Sequence, residues 1–470
     1  MSTKFTYPNR ETPFMFPPSI EDWLPEDHLA RFVVDIVNRL DLTNIRSIYS
    51  EQTKGQKAYE PAMMVSLIFY CLITGILSTR KMERATWESI PVRYITGNLH
   101  PDHDTIASFR NRMKDALDDI FLKILLVAQE MGLLKLGTVS LDGTKMKANA
   151  SKHKALSYEH ACRLEEQLKE ELKQLLAQSE TAEAADANKP ELNIPEEIRR
   201  REERLSGIER AKAEITRREK ERYEKEKAEY EAKKKEREAK ERYTGKKAGG
   251  KAPKEPEEKI SGKAQMNMTD EESRIMPKGK KTFEQSYNAQ AGVDVDSHII
   301  VTAHVTQACN DKEELESALS EMQGLPEELG KVDKVLCDAG YYSDDNLKAV
   351  EDAGMEPYIP AGREKHNEDL KSRIEGAGPE PEEGAGVKER TAHKMKTDAG
   401  RKEYGKRKCT SEPVFGIIKT VMGYSSFLTR GLENVRKEWT MICIGYNIKR
   451  IFSLFNATKG VLSPSFKIIG

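Results

Sequence analysis

The stretch from Tyr158 to Pro256 constrains this 470-residue chain more than any other feature. Glu, Lys, Arg, Gln and Ala dominate it, and it lacks the density of apolar residues that a core requires. Whatever packs into a globular body must therefore come from either side of it. Its first part, to Glu197, is mostly acidic, whereas Arg199 to Lys251 holds 21 Lys/Arg against 13 Glu. The run RREKERYEKEKAEYEAKKKEREAKERY consists of strong helix formers with opposite charges three and four residues apart. Apolar heptad positions are sparse, so a solvated helical hairpin or a single helix is expected rather than a long dimeric coiled coil. An arm that touches DNA backbone or a partner subunit is the other reading.

The flanks have different characters. Up to about Lys135 the chain reads as helical. Leu29, Phe32, Val33, Ile36 and Leu40 stand at helical spacing after Pro25, and an apolar run follows Pro61. Ser78 to Ser89 forms a short helix, Asp104 and Thr105 are expected to cap another, and Phe121 to Leu134 forms the last. The Ala62–Leu77 run is shorter than the roughly 20 residues a bilayer span needs, so it is expected to be a core helix and no membrane partner is expected. The N-terminal residues contain no apolar signal core. Six scattered cysteines without a CxxC pair favour a reducing, cytoplasmic setting over disulfides or zinc.

Around the charged stretch the pattern is β and α mixed. Gly137 to Asp142 is a short strand ending in an acid. Tyr287–Val293 and Ile299–Thr306 form a hairpin, Val332–Cys337 delivers Asp338, and Glu356–Ile359 is a last short strand. Helices are expected at Glu313–Met322, Asp345–Ala353 and over the tail from Pro413 to Phe455, with residues 361–400 a loop. The fold class is α/β, a mixed sheet interrupted after its first strand by the charged insertion.

The chemistry-bearing residues are three acids from distant segments. Asp142 in TVSLDGT and Asp338 in KVLCDAGYY stand at strand ends, and Glu412 opens an apolar helical run within YGKRKCTSEPVFGIIK. Lys402, Lys406, Arg407 and Lys408 precede Glu412, and Lys419 lies two turns beyond it. If the fold converges these carboxylates, they could hold a pair of Mg²⁺ ions, with Mn²⁺ as a substitute, for chemistry on a DNA phosphodiester. The bases would meet phosphates. Asp294, Asp296, Asp344 and Asp345 lie in turn-like or exposed segments and rank lower. The net charge of −1 leaves any DNA surface local rather than global.

In this order the residues resemble the DDE transposases of bacterial insertion sequences, in the branch with a tyrosine-arginine-glutamate-lysine signature at the last acid. PDHDTIASFR, TVSLDGTKMKANAS, QSYNAQAGVD, HVTQACND, CDAGYYSDDNL and RKEYGKRKCTSEPVFGIIK carry the likeness. The resemblance implies that Asp142, Asp338 and Glu412 are the metal-binding catalytic triad, and that Tyr404, Arg407 and Lys419 take the positions associated with DNA ends. The signature places three residues between its arginine and its glutamate. Lys408 stands at that spacing and Arg407 one residue further off, so both are candidates for it.

The resemblance also implies an RNase H-like catalytic domain, residues 136–157 and 260–455 with the C-terminal helices. A helical DNA-binding domain over 1–135 would precede it, the insertion and linker over 158–259 would interrupt it, and a tail over 456–470 would follow. Its partners would be double-stranded DNA, as terminal inverted repeats and target, and further copies of the chain in a dimer or higher multimer at the nucleoid. A catalytically silent DNA-binding regulator derived from such an enzyme, or a scaffold built on the insertion, are the competing readings.

Overall fold

The computed structural model describes residues 19–50, 57–184, 194–244, 252–278, 282–362, 378–382 and 384–458. The expected tail beyond residue 458 and part of the linker before residue 259 lie outside the described residues. Two compact units emerge. The first comprises 1–146, 288–427 and 433–470, and the second comprises 147–287 with 428–432.

The first unit opens with helices α1 (Ile20–Trp23), α2 (Leu29–Arg39), α3 (Thr43–Ser50), α4 (Pro61–Ile73), α5 (Thr79–Glu88), α6 (Ile90–Thr96), α7 (His103–Arg112) and α8 (Leu117–Glu130). Eleven of the thirteen residues of α4 are buried, as an apolar run too short for a bilayer must be when it sits at a protein centre. Pro61 at its first position and the Glu60 carboxylate accepting from Met63 N at 3.0 Å start it. The cap of α7 is Asp102, which accepts from Thr105 N at 2.6 Å; the expected Asp104 lies inside the first turn instead. The Asp102 carboxylate reaches an amide three residues on, the reach an N-cap requires.

A mixed sheet follows. β1 (Thr138–Lys147) pairs in parallel with β7 (Lys334–Leu336), and β7 pairs in parallel with β8 (Glu356–Tyr358). β5 (Thr282–Asp294) and β6 (Ile300–Thr306) form the expected antiparallel hairpin, with a bulge at Gly292/Val293. Within this unit the strand order is β5-β1-β7-β8, with β6 also on β5. Between the later strands run α11 (Leu315–Gln323) and α12 (Asp344–Asp352).

Beyond β8, where a loop is expected, the chain forms α13 (Val387–Lys394) and α14 (Asp398–Gly405), capped by Thr397 accepting from Gly400 N at 3.0 Å. Their Gly, Glu and Lys content hides them from a reading by apolar periodicity. α15 (Ser411–Gly416) runs into a π turn at Ile417–Val421. The tail is not one helix: after a break it resumes as α16 (Leu432–Ala457), the longest apolar element of this unit. Buried Trp439 of α16 donates from Nε1 to Gln290 O at 2.9 Å. The Asn447 amide brackets Ile300, accepting from its N at 2.9 Å and donating to its O at 2.8 Å.

The second unit holds the charged insertion. α9 (Tyr158–Ala184) and α10 (Ile194–Thr244) form a hairpin, joined at its base by β2 (Ala155–Ser157) paired with β3 (Gln265–Asn267), and β4 (Arg274–Lys278) completes the strands. Contrary to expectation the hairpin has a small core of its own. Leu156, Ala161, Leu168, Ile208, Ala211, Ile215 and Met266 are buried together near the base. The apolar residues are too dilute to register as periodicity, and they pack because two helices and a strand pair pool them. Further out, pairs such as Arg201–Glu171 at 2.9 Å cross between the helices.

Among the described residues no helix is long and apolar enough to cross a membrane. Replacing Asn447 by Leu should leave the Ile300 N–H and C=O unpaired in the core, at about 1–3 kcal/mol each. Thermal or urea melts should show a clearly lowered midpoint; an unchanged midpoint would refute the role assigned to this amide.

Candidate active site

The register of β1 and β7 builds the site. Ser140 pairs with Leu336, the last register pair of the two strands, and Asp142 and Asp338 each lie two residues beyond it. Adjacent strands lie about 4.8 Å apart, which brings the two carboxylates within mutual influence. Asp142 does not end its strand as expected: β1 runs on to Lys147. Gly143 stays in the strand because its missing side chain is needed. A Cβ there would stand 2.2 Å from Gln290 Nε2 and 2.6 Å from Asp311 Oδ1. Asp338 lies two residues beyond the end of β7 at Leu336. Its Oδ1 accepts from Gly340 N at 2.7 Å and caps a single 3₁₀ turn, Ala339–Tyr341.

Alternation puts Ser140, Asp142 and Thr144 on one face of β1. The third acid's segment covers that face. Ser411 Oγ meets Ser140 Oγ at 3.0 Å, and Lys419 Nζ donates to Thr144 Oγ1. Between these anchors stands Arg407, whose Nη1 donates to Asp142 Oδ2 at 3.1 Å. Glu412 follows Ser411 directly, in the first turn of α15, and is exposed. The face that presents Asp142 is therefore spanned by the residues flanking Glu412.

The electrostatics are those of a carboxylate held out of water. Burial pushes Asp142 up to about 6, the Arg407 guanidinium opposes that rise, and Asp338 and Asp311 add to it. For Arg407, burial works against its charge, yet Asp142, Tyr404 and Asp338 outweigh it and raise its pKa. The pair is mostly enclosed, with side chains 13% and 17% exposed. Arg407 Nε is buried with no partner among the described residues, so the guanidinium keeps an unspent donor beside the acid.

The other candidates are placed unequally. Tyr404, 5% exposed, packs with Val295, Leu336 and Tyr358, and its ring centroid lies 6.0 Å from Arg407 Cζ. Lys408 is exposed, on the 3₁₀ turn Lys406–Cys409. The lower-ranked acids have structural partners. Asp294 accepts from Ser297 N at 2.8 Å and Oγ at 2.7 Å, Asp344 pairs with Lys388 at 3.1 Å, and Asp345 sits in the first turn of α12. Given no role in the sequence reading are Ser140 and Thr144, whose signal is period-two alternation around Asp142, and Gln290, Asp311 and Tyr341, which lie within motifs that carry the resemblance but are not singled out there.

As donors for a cation these residues suit a hard ion. They offer carboxylate oxygens on two adjacent segments, and the negative charge is already compensated by a guanidinium. Among the described residues, however, no group of three or more His, Cys, Asp or Glu stands close enough to hold a metal. A bound ion would require Arg407 to yield Asp142 and Glu412 to turn inward.

Two family matches bear on this geometry. The family described as Transposase DDE domain matches residues 251–448, which include Asp338, Arg407, Glu412 and Lys419 but not Asp142. The family described as Transposase domain (DUF772) matches residues 18–112. No curated protein and no solved structure matches the chain.

The protonated form of Asp142 favours the folded state. That contribution is complete below the unfolded value of 3.8 and is lost as pH rises through about 6. A divalent ion binding there must displace the proton. Calorimetry of Mn²⁺ binding in buffers of different ionisation enthalpy should find roughly three quarters of a proton released at pH 5.5 and almost none at pH 8. Equal release at both pH values would take Asp142 out of the binding site.

Proposed function

The chain belongs to the DDE transposases of insertion sequences, and from that premise we propose that Asp142, Asp338 and Glu412 form its catalytic triad. The sheet and its covering helices would then be an RNase H-like catalytic domain, split by the charged hairpin and preceded by a helical DNA-binding region. The observation that carries the reading is the pinning of the Glu412 segment across the Ser140–Asp142–Thr144 face, with Asp338 close enough to oppose ionisation of Asp142.

The substrate would be a phosphodiester at the element's end, within its terminal inverted repeat. Water attacks phosphorus in line, the bond to the 3′ oxygen breaks, and a 3′-hydroxyl and a 5′-phosphate are left. That hydroxyl then attacks a target phosphodiester in a second in-line displacement: its oxygen bonds to phosphorus, the target's own bond from phosphorus to the 3′ oxygen breaks, and the target strand is left with a free 3′-hydroxyl. Two Mg²⁺ ions, or Mn²⁺ in their place, would supply nucleophile activation and charge neutralisation when bound.

The chain's own residues do the rest. Asp142, Asp338 and Glu412 would hold the ions. Arg407 leaves Asp142 for a phosphate oxygen, to which its unspent Nε and its Nη groups can fork. Buried Tyr404 backs that guanidinium, and Lys408 and Lys419 meet the DNA backbone. Positioning two ends for joining requires more than one copy of the chain, so the active form is a dimer or higher multimer on DNA.

With end-sequence DNA and Mn²⁺, Asp142→Asn, Asp338→Asn and Glu412→Gln should each lower cleavage and joining by at least ~10³, roughly the loss of a principal electrostatic group. DNA binding by gel shift should persist. Full cleavage by any of the three removes that acid from the triad, and binding without cleavage by the unaltered protein favours the silent regulator.

Lys408→Ala and Lys419→Ala should weaken DNA binding across sequences and reduce the slope of log K against log salt by about one each. A slope unchanged in a variant would remove that lysine from the interface.

A further inference from the structure

The segments that carry Asp142 and Asp338 are backed by a buried polar network for which the acid chemistry itself has no use. Asp311 Oδ1 accepts from Asn288 Nδ2 at 2.7 Å and from Gln290 Nε2 at 2.6 Å. Gln290 Oε1 accepts from the Tyr341 hydroxyl. The Asn346 amide donates to Lys312 O at 2.8 Å and Tyr341 O at 2.6 Å, tying the Asp311 loop to the turn that Asp338 caps. Asn288, Gln290 and Tyr341 are all buried.

One end of this network lies against Gly143, where a single added carbon would overlap Gln290, Asp311 and Asn288. The other end is Tyr341, the last residue of the turn that begins at Asp338. Each of the two aspartates thus has a neighbour against the same hydrogen-bonded network: Gly143 packs on it, and Tyr341 donates into it. Parallel pairing with β7 ends at Leu336, two residues before Asp338, so the ladder alone does not hold that carboxylate in place.

We propose that Asp311, Gln290 and Tyr341 are positioning residues that set the spacing between the Asp142 and Asp338 carboxylates and so the affinity for divalent ions. This rests on the reading of Asp142 and Asp338 as metal ligands. The physical reason is that two like-charged groups relax apart unless their backbones are fixed. Hydrogen-bonded groups behind metal ligands typically change affinity 10–100-fold when removed. Tyr341 is the most specific member, because its ring fills the core while only its hydroxyl joins the network.

The test is Mn²⁺ binding to the full-length, DNA-free chain, followed by electron paramagnetic resonance, with urea midpoints measured in parallel. Tyr341→Phe keeps the ring and should weaken Mn²⁺ binding about tenfold or more. Asp311→Ala should do the same, while Asp311→Asn, which still offers an acceptor oxygen, should recover binding to within about threefold. A change in urea midpoint without a change in Mn²⁺ affinity would assign the network to stability alone and overturn the proposal. If Asp311→Ala fails to fold, Tyr341→Phe decides. Asp142→Ala is the control. If it leaves Mn²⁺ binding intact, the metal-site reading fails. If it abolishes binding while Tyr341→Phe and Asp311→Ala bind as the unaltered protein does, only the positioning role fails.

Discussion

Parallel pairing of β1 with β7 is the constraint on which the site depends. Because the side-chain period of a strand is two, Ser140, Asp142 and Thr144 share one face of β1, and the Ser140–Leu336 pair leaves Asp142 and Asp338 each two residues past the end of the ladder, near enough for Asp338 to oppose ionisation of Asp142. A slip of one residue would turn Asp142 to the other face and present Leu141 or Gly143 in its place. Such a slip is blocked on that opposite side, where Gly143 lies against Gln290 and Asp311, and where Gly292 leaves no room between Leu141 and Thr302.

The same register explains the electrostatics. Burial and Asp338 both oppose ionisation of Asp142, and the Arg407 guanidinium counters them. Arg407 suits that position because it is permanently charged, mostly enclosed and backed by a tyrosine ring. Its pairing with Asp142 is the kind of interaction a phosphate could replace, which connects the resting geometry to action on DNA. The segment that carries Arg407 on a 3₁₀ turn also carries Glu412, in the first turn of the helix that follows.

Much of this is legible in the sequence. Asp142, Asp338 and Glu412 stand out by their place beside apolar runs, and the β5–β6 hairpin, α4 and the charged helical insertion are readable from periodicity and composition. Other features are not. Asp142 reads as a strand-end residue because Gly143-Thr144 has the composition of a turn; only the side chains packed from β5 show that the glycine keeps β1 going. The resemblance gives Tyr404 a position associated with DNA ends, and only the structure shows it buried beside Arg407 among Leu336 and Tyr358. α13 and α14 escape notice because their stretch is rich in Gly, Glu and Lys and shows no apolar stripe.

From sequence alone come the residue types the chemistry needs, their order along the chain and the α/β class, since these rest on local propensity and on the periods of strand and helix. Tertiary structure decides which face each acid occupies, that a guanidinium sits on Asp142, and that Gln290, Asp311 and Tyr341 form a common support. Such contacts join residues far apart in the chain, and no local pattern encodes a distance that exists only after strands have paired and helices have packed.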